Sequence, residues 1–293
     1  MRAAVIIAAG SVFAALPTGM AGKTGRLAGL LLFMLWRKRR AIAINNAASA
    51  MERGAISKTR EDGKAISPEW VARESFVNLG ASFAELIKIY FGTGGAILDR
   101  VQVRGWENIE KAHNGNRGVI FITAHMGNWE LLAIKGSIEY GGMGVVARPL
   151  KNPYLNSVLE KARSKFGNQV IYKEGALKKI IRTLNSGGAI GVLMDQAVIK
   201  EEGHLVDFLG RPAWTTRMPV VLAKKTGAAL MPVFIKRTAS GHQLTILPEV
   251  DASGAEQDAL KRLNDAIGEQ IKSSPSEWLW MHRRWKRTEG LDA

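Results

Sequence analysis

The sequence predicts an α/β domain, a mainly parallel central sheet flanked by helices, with an N-terminal helical membrane element in front of it. Three observations carry this. From about residue 100 onward, short apolar runs rich in β-branched residues alternate with helix-period segments, the pattern of a buried parallel sheet with crossover helices. Several of those helical segments stop at glycine, as at Gly187-Gly188 and Gly227. The first 36 residues hold two apolar runs, and the second ends at Arg37-Lys38-Arg39-Arg40.

In order along the chain, Ala3–Leu16 is apolar or small throughout and is closed by Pro17, and Leu27–Trp36 follows. A spanning helix needs about 20 apolar residues, more than the first run supplies. The stretch is compatible with a secretory signal, with a buried helical hairpin, or with a membrane anchor or monotopic hairpin whose Arg37–Arg40 cluster lies at anionic headgroups. Arg53–Ser67 is polar and reads as a loop between helices. Ser67 and Pro68 then mark a helix start, and Phe76, Leu79, Phe83, Leu86, Ile87 and Tyr90 give that helix one apolar face. Strands are expected at Val119–Ile122, Val145-Val146, Val170–Tyr172, Ala189–Met194, Ala229–Ile235 and Gln243–Leu247, and helices at Glu130–Tyr140, Asn152–Phe166, Leu177–Leu184, Met218–Thr226 and Leu260–Ile271.

Composition narrows the function. The 293-residue chain is 46% hydrophobic, which excludes wholesale disorder, and no long apolar run after residue 36 suggests a multi-span membrane protein. The absence of cysteine rules out a disulfide framework, a thiolate zinc site and a cysteine nucleophile. A net charge of +15 points to a polyanionic partner: nucleic acid, an anionic membrane surface or an acidic small substrate. Eight tryptophans alongside the basic residues suit a lipid headgroup zone. The C-terminal stretch Trp278–Arg287, rich in tryptophan and cations, could stack on nucleic-acid bases or lie at an anionic lipid interface.

In open α/β sheets, ligands bind outside the carboxyl ends of the strands. That rule selects His125, just past the first expected strand, Arg148 past the second, and Asp195-Gln196 past the fourth. The central signal is Thr123-Ala124-His125-Met126-Gly127-Asn128-Trp129-Glu130. A glycine permits a tight turn between a post-strand histidine and a glutamate at a helix start, so the two side chains can meet. A carboxylate on one imidazole nitrogen sets the tautomer and makes the other nitrogen a general base. The plainer alternative is a capping carboxylate at a helix N-terminus beside an incidental histidine. Asn128 can cap that helix or touch substrate, and Trp129 can pack in the core or touch substrate. Asp195-Gln196 can serve a site or cap the turn after a strand. Arg163, on an amphipathic helix, can be solvated or reach the site. No cluster of ligating side chains at metal spacing appears in the sequence.

The segments HMGNWE at 125–130, ARPLKNP at 147–153, GVLMDQ at 191–196, VDFLGRPAWTT at 206–216, LAKKTGAALMPVF at 222–234 and WLWMHRRWK at 278–286 resemble, in order and spacing, the bacterial lipid A late acyltransferases, within the lysophospholipid acyltransferase superfamily. The resemblance covers Leu27 to Lys286. It implies transfer of a fatty acyl chain from an acyl carrier protein thioester, or acyl-CoA, to a hydroxyl of a lipid A precursor, with no cofactor. It implies catalysis by a His125–Glu130 dyad, in which Glu130 orients the base. Asn128, Trp129, Arg148, Arg163, Asp195 and Gln196 then bind substrate, Arg148 at the oxyanion or at a substrate phosphate. The C-terminal aromatic stretch is read as lipid-facing, and nucleic acid is set aside. Two parts follow, a membrane-anchoring segment 1–40 and an acyltransferase domain 41–293, at the inner (cytoplasmic) membrane with the site on the cytoplasmic side. Another acceptor, such as a phosphatidylinositol mannoside, is the nearest alternative. A non-catalytic basic lipid- or nucleic-acid-binding protein is the alternative from a different class.

Overall fold

The structure is a computed structural model, which describes residues 10–59, 63–147, 149, 153–172 and 175–288. Among the described residues, nine strands build a seven-stranded sheet and a separate hairpin. They are β1 (Val101–Arg104), β2 (Val119–Thr123), β3 (Gly144–Ala147), β4 (Gln169–Tyr172), β5 (Ala189–Leu193), β6 (Gly203–Phe208), β7 (Arg211–Thr216), β8 (Ala229–Thr238) and β9 (Gly241–Ile246). The large sheet runs β1-β9-β8-β2-β5-β3-β4 and is parallel except where β8 and β9 form an antiparallel pair. The expected α/β fold with a mainly parallel sheet is therefore present, and all six expected strands occur within a few residues of their predicted ends.

The central strand β2 is buried at every position, which explains its unbroken apolar run. Ile120 and Ile122 face one core and Val119 and Phe121 the other. The first core is closed by α2 (Arg37–Glu52), part of α3 (Pro68–Tyr90), α7 (Ala176–Asn185), α8 (Met218–Thr226) and α9 (Glu256–Ser273). The second lies under α4 (Trp106–Asn114) and α5 (Trp129–Tyr140). Helix α6 (Pro153–Ser164) crosses from β3 to β4. Ser67 caps α3 as expected, its side chain accepting from Trp70 N at 3.1 Å.

Among the described residues, β1, α4 and the two strands of the β6–β7 hairpin were not expected from sequence. β1 and α4 are short and carry too few apolar positions to show a period. The β6–β7 hairpin turns on Leu209-Gly210, both at positive φ (55° and 75°), a two-residue turn without the Asn-Gly or Asp-Gly signature.

The N-terminal region is knitted into the domain. Helix α1 (Thr18–Leu35) packs on α3 backbone to backbone: a Cβ on Gly29 would lie 2.2 Å from Phe76 O, and one on Gly80 would lie 2.1 Å from Gly25 O. Buried Lys88 of α3 donates to Ala14 O (2.7 Å) and Leu16 O (2.6 Å), tying down the chain before α1. The outer face of α1 exposes Met20, Leu27, Leu31, Met34 and Leu35, and Trp36 just beyond its end is exposed as well. Among the described residues no helix is long and apolar enough to cross a membrane. The start of the first apolar run, residues 1–9, lies outside the described residues, and the expected boundary at residue 40 falls inside α2.

The C-terminal stretch departs from the lipid-facing expectation. Trp278, Trp280 and Trp285 are buried, and so is the Arg284 side chain. Their rings pack on one another and on Phe208. Arg39 and Asn46 of α2 bond the carbonyls of Trp280, Met281 and His282. The segment is interior because its neighbours supply an aromatic cluster for the rings and acceptors for the Trp278 and Trp280 indoles and the Arg284 Nη atoms.

Candidate active site

Strands β2 and β5 are parallel neighbours, with Thr123 opposite Leu193. Two residues further along each strand stand His125 and Asp195, so the register itself puts them side by side beyond the carboxyl edge. His125 N donates to Asp195 Oδ2 at 3.0 Å, and His125 Nδ1 lies 2.8 Å from Asp195 Oδ1. Trp278 Nε1 donates to the same Oδ2 at 2.8 Å.

After His125 the chain must turn sharply. Gly127 has φ +57°, and a Cβ there would meet Ile235 O at 2.1 Å, so only glycine fits. Asn128 caps α5, accepting from Leu131 N at 3.1 Å. Its amide donates to Glu85 Oε2 at 2.8 Å, and Glu85 is paired with Arg237. Asn128 is thus a buried structural residue. The Trp129 ring stands edge-on to the His125 ring, centroids 5.2 Å apart.

Glu130 emerges in the first turn of α5 and faces α6, where Arg163 grips it with two hydrogen bonds (Nε–Oε2 3.0 Å, Nη2–Oε1 2.6 Å). The expected direct contact between His125 and Glu130 is therefore replaced: the carboxylate bonded to His125 is Asp195. The helix start carries Glu130 toward α6, whereas strand register carries Asp195 to the ring. Arg163 reaches the site region through Glu130. Gln196, exposed, places its side-chain amide nitrogen 3.2 Å from His125 Nε2. Arg148 lies outside the described residues.

The electrostatics follow from burial and pairing. Burial alone pushes the Asp195 carboxyl up, but the charge and hydrogen bonds of His125, with the Trp278 indole, bring it down to about 2. Burial pushes the His125 imidazole down, yet Asp195, through its charge and hydrogen bond, and the charge of Glu130 leave it above its ordinary value. Burial drives His282 down to about 4, so it is neutral at pH 7. Arg284 is buried without a carboxylate partner. It donates to Gln196 O (3.2 Å), Trp214 O (2.7 Å) and Thr215 Oγ1 (2.6 Å), and burial lowers it to about 10 against the pull of Asp195.

An ionised Asp195 makes Nδ1 the protonated nitrogen and leaves Nε2 with its lone pair, next to the exposed end of Gln196. Such an imidazole can take a proton from a bound hydroxyl. Among the described residues no group of three or more His, Asp or Glu side chains could hold a metal ion. In the sequence Trp278 and Arg284 stand out only as part of an aromatic, basic stretch. Nothing in the local pattern connects them to Asp195, because the connection runs through the tertiary fold.

A family profile for bacterial lipid A biosynthesis acyltransferases matches residues 3–287. The chain is 27% identical over 230 residues to the lipid A biosynthesis palmitoleoyltransferase of Escherichia coli strain K12, covering 74% of this chain and 72% of that protein. It is 25% identical over 223 residues to the phosphatidylinositol mannoside acyltransferase of Mycolicibacterium smegmatis, covering 74% and 73%. Among solved structures, the 1-acyl-sn-glycerophosphate acyltransferase of Thermotoga maritima aligns at 16% identity with a TM-score of 0.41, covering 89% of this chain and 99% of that one. The extent of the profile match settles the family: this chain belongs to the bacterial lipid A biosynthesis acyltransferases and is an acyl-transfer enzyme.

Proposed function

We propose that this enzyme moves a fatty acyl chain from an acyl carrier protein thioester, or acyl-CoA, to a hydroxyl of a lipid A precursor, with His125 as general base. The observation that carries the reading is the 2.8 Å bond between His125 Nδ1 and Asp195, which leaves Nε2 as the proton acceptor at the sheet edge. The acceptor hydroxyl takes the place of the Gln196 amide at Nε2 and gives its proton to the ring. Its oxygen attacks the thioester carbonyl and forms a tetrahedral oxyanion. The C–S bond then breaks, and the leaving thiolate takes the proton back from the imidazolium. No covalent enzyme intermediate is needed. Glu130, held by Arg163, adds negative charge that favours the imidazolium without touching it. The oxyanion needs a donor, and Arg148 is the candidate, its guanidinium suiting either the oxyanion or a substrate phosphate.

The exposed apolar face of α1, next to the exposed Arg37 and Lys38, fits an anionic membrane surface. The lipid acceptor requires that surface and a thioester donor is cytoplasmic, so the site belongs at the cytoplasmic face of the inner membrane. The similarity to a phosphatidylinositol mannoside acyltransferase favours a second acceptor class, a mannosylated phosphoinositide.

The test is a mass-spectrometric assay with purified enzyme in detergent, a mixture of acyl carrier protein thioesters and a Kdo-bearing lipid A precursor, beside His125→Ala. Gain of one acyl mass that is lost in the variant is the expected result, with a drop of at least about a hundredfold. Gain only on a phosphatidylinositol mannoside would move the acceptor. Gain that survives His125→Ala would overturn the base.

A further inference from the structure

The Asp195 carboxylate orients His125 only if something holds the carboxylate itself in place. A carboxyl group turns easily about its terminal torsion, whose energy wells are broad. Two donors converge on one oxygen here, His125 N at 3.0 Å and Trp278 Nε1 at 2.8 Å, both on Oδ2. Trp278 is in turn placed by the backbone: Gly127 N donates to Glu277 O (3.0 Å) and Leu279 N to His125 O (2.9 Å), an antiparallel bridge that pairs Met126 with Trp278. The C-terminal segment thus grips the turn that carries the base and delivers an indole N–H to the residue that orients it. We propose that Trp278 is a positioning residue of the acyl-transfer centre, its N–H pinning Asp195 Oδ2 so that Oδ1 faces His125 Nδ1. The proposal rests on the reading of His125 as the base.

Packing alone is the competing explanation, and Trp280 separates the two. It is as fully buried as Trp278, and the two rings pack edge to face at 4.7 Å. Its own N–H, however, goes to Pro275 O, away from Asp195. Trp278→Phe keeps an aromatic ring against Phe208 and removes only the donor and one ring. Trp278→Phe removes a charge-assisted hydrogen bond that holds the Asp195 carboxylate, so it is expected to lower kcat about tenfold or more, with KM little changed. Asp195, short of one donor, leans harder on the imidazolium, so the His125 titration moves to higher pH. Trp280→Phe is expected to cost similar stability, with kcat and the His125 titration near wild type.

The experiment measures thermal stability, kcat and KM for transfer from a dodecanoyl acyl carrier protein thioester to the Kdo-bearing lipid A precursor, and the histidine titrations by NMR on imidazole-labelled protein, His125→Ala giving the assignment. Equal losses of activity in Trp278→Phe and Trp280→Phe with an unmoved His125 titration would reduce Trp278 to packing. Activity that persists in His125→Ala would overturn the general-base reading instead, and the titration would still decide whether Trp278 acts on the Asp195–His125 pair. Should Trp278→Phe not fold, β-benzothienylalanine at position 278, with sulfur in place of N–H at nearly the same volume, makes the same test.

Discussion

Replacing Asp195 by asparagine moves the proton on the His125 ring while the ring itself stays in place. In the native site Asp195 Oδ2 accepts from both His125 N and Trp278 Nε1. An amide nitrogen cannot accept, so the carbonyl oxygen of the introduced asparagine must take that position. The amide NH2 then stands where Oδ1 stood, 2.8 Å from His125 Nδ1 in the native geometry, and it can only donate. Nδ1 is forced to accept, the ring proton moves to Nε2, and Nε2 has no lone pair left for a hydroxyl proton. The same tautomer inversion in a Ser-His-Asp triad costs about 10⁴ in kcat, or ~5 kcal/mol of transition-state stabilisation. The loss of charge also acts on the ring: without the Asp195 charge that raises it, and with burial still lowering it, the His125 titration falls. The assay is kcat for acyl transfer by mass spectrometry, with thermal melting to confirm the fold and NMR to follow the imidazole. An Asp195→Asn enzyme within about tenfold of wild-type kcat, folded and with His125 intact, would refute the orientation argument, because even a modest general-base contribution exceeds that.

Glu130→Gln should lower kcat at least about tenfold and move the acid limb of the pH profile to lower pH, because Glu130 raises the His125 titration through its charge; a pH–rate profile measures both. The same variant leaves Arg163, only 12% exposed, without its carboxylate, so a fall in melting temperature should accompany it. Leu31→Glu with Leu35→Glu on the outer face of α1 should leave melting unchanged and weaken sedimentation with anionic lipid vesicles more than about tenfold, since each Leu buried in an apolar phase is worth roughly 1.5–3 kcal/mol; unchanged sedimentation would remove α1 from the membrane contact. The acid side of stability is set by depressed carboxyls. Asp195 falls from 3.8 to about 2 and Glu85 from 4.5 to about 2, so the fold favours their ionised forms, and their stabilisation is complete above pH 4.5 and lost as pH falls toward 2. Glu277, raised by burial, opposes this. Melting temperature followed from pH 6 to 2.5 should therefore drop below pH 4.5, and Glu85→Gln should flatten the slope.

The six expected strands were legible because a parallel sheet covered on both faces favours continuous apolar runs, as at Val119–Ile122 and Ala189–Met194. The helix with Ser67-Pro68 at its start and the histidine at a strand end were legible for similar local reasons. The N-terminal runs were apolar in sequence, but their composition could not reveal that Gly25 and Gly29 dock on Gly80 and leave only one face outward. Trp278–Arg287 shows the same limit more sharply. Aromatics mixed with cations look alike at a lipid surface and in a core with enough acceptors, and the bridge to Met126 is a contact across about 150 residues of chain.

By itself the sequence determined the fold class and the family and singled out the histidine, because each rests on residues close together in the chain or on the order of whole segments. The tertiary structure alone decided which carboxylate bonds that histidine. Glu130 is five residues from His125 and Asp195 is seventy. A helix turn carries the near one away to Arg163, while the register of β2 on β5 carries the distant one into hydrogen-bond contact.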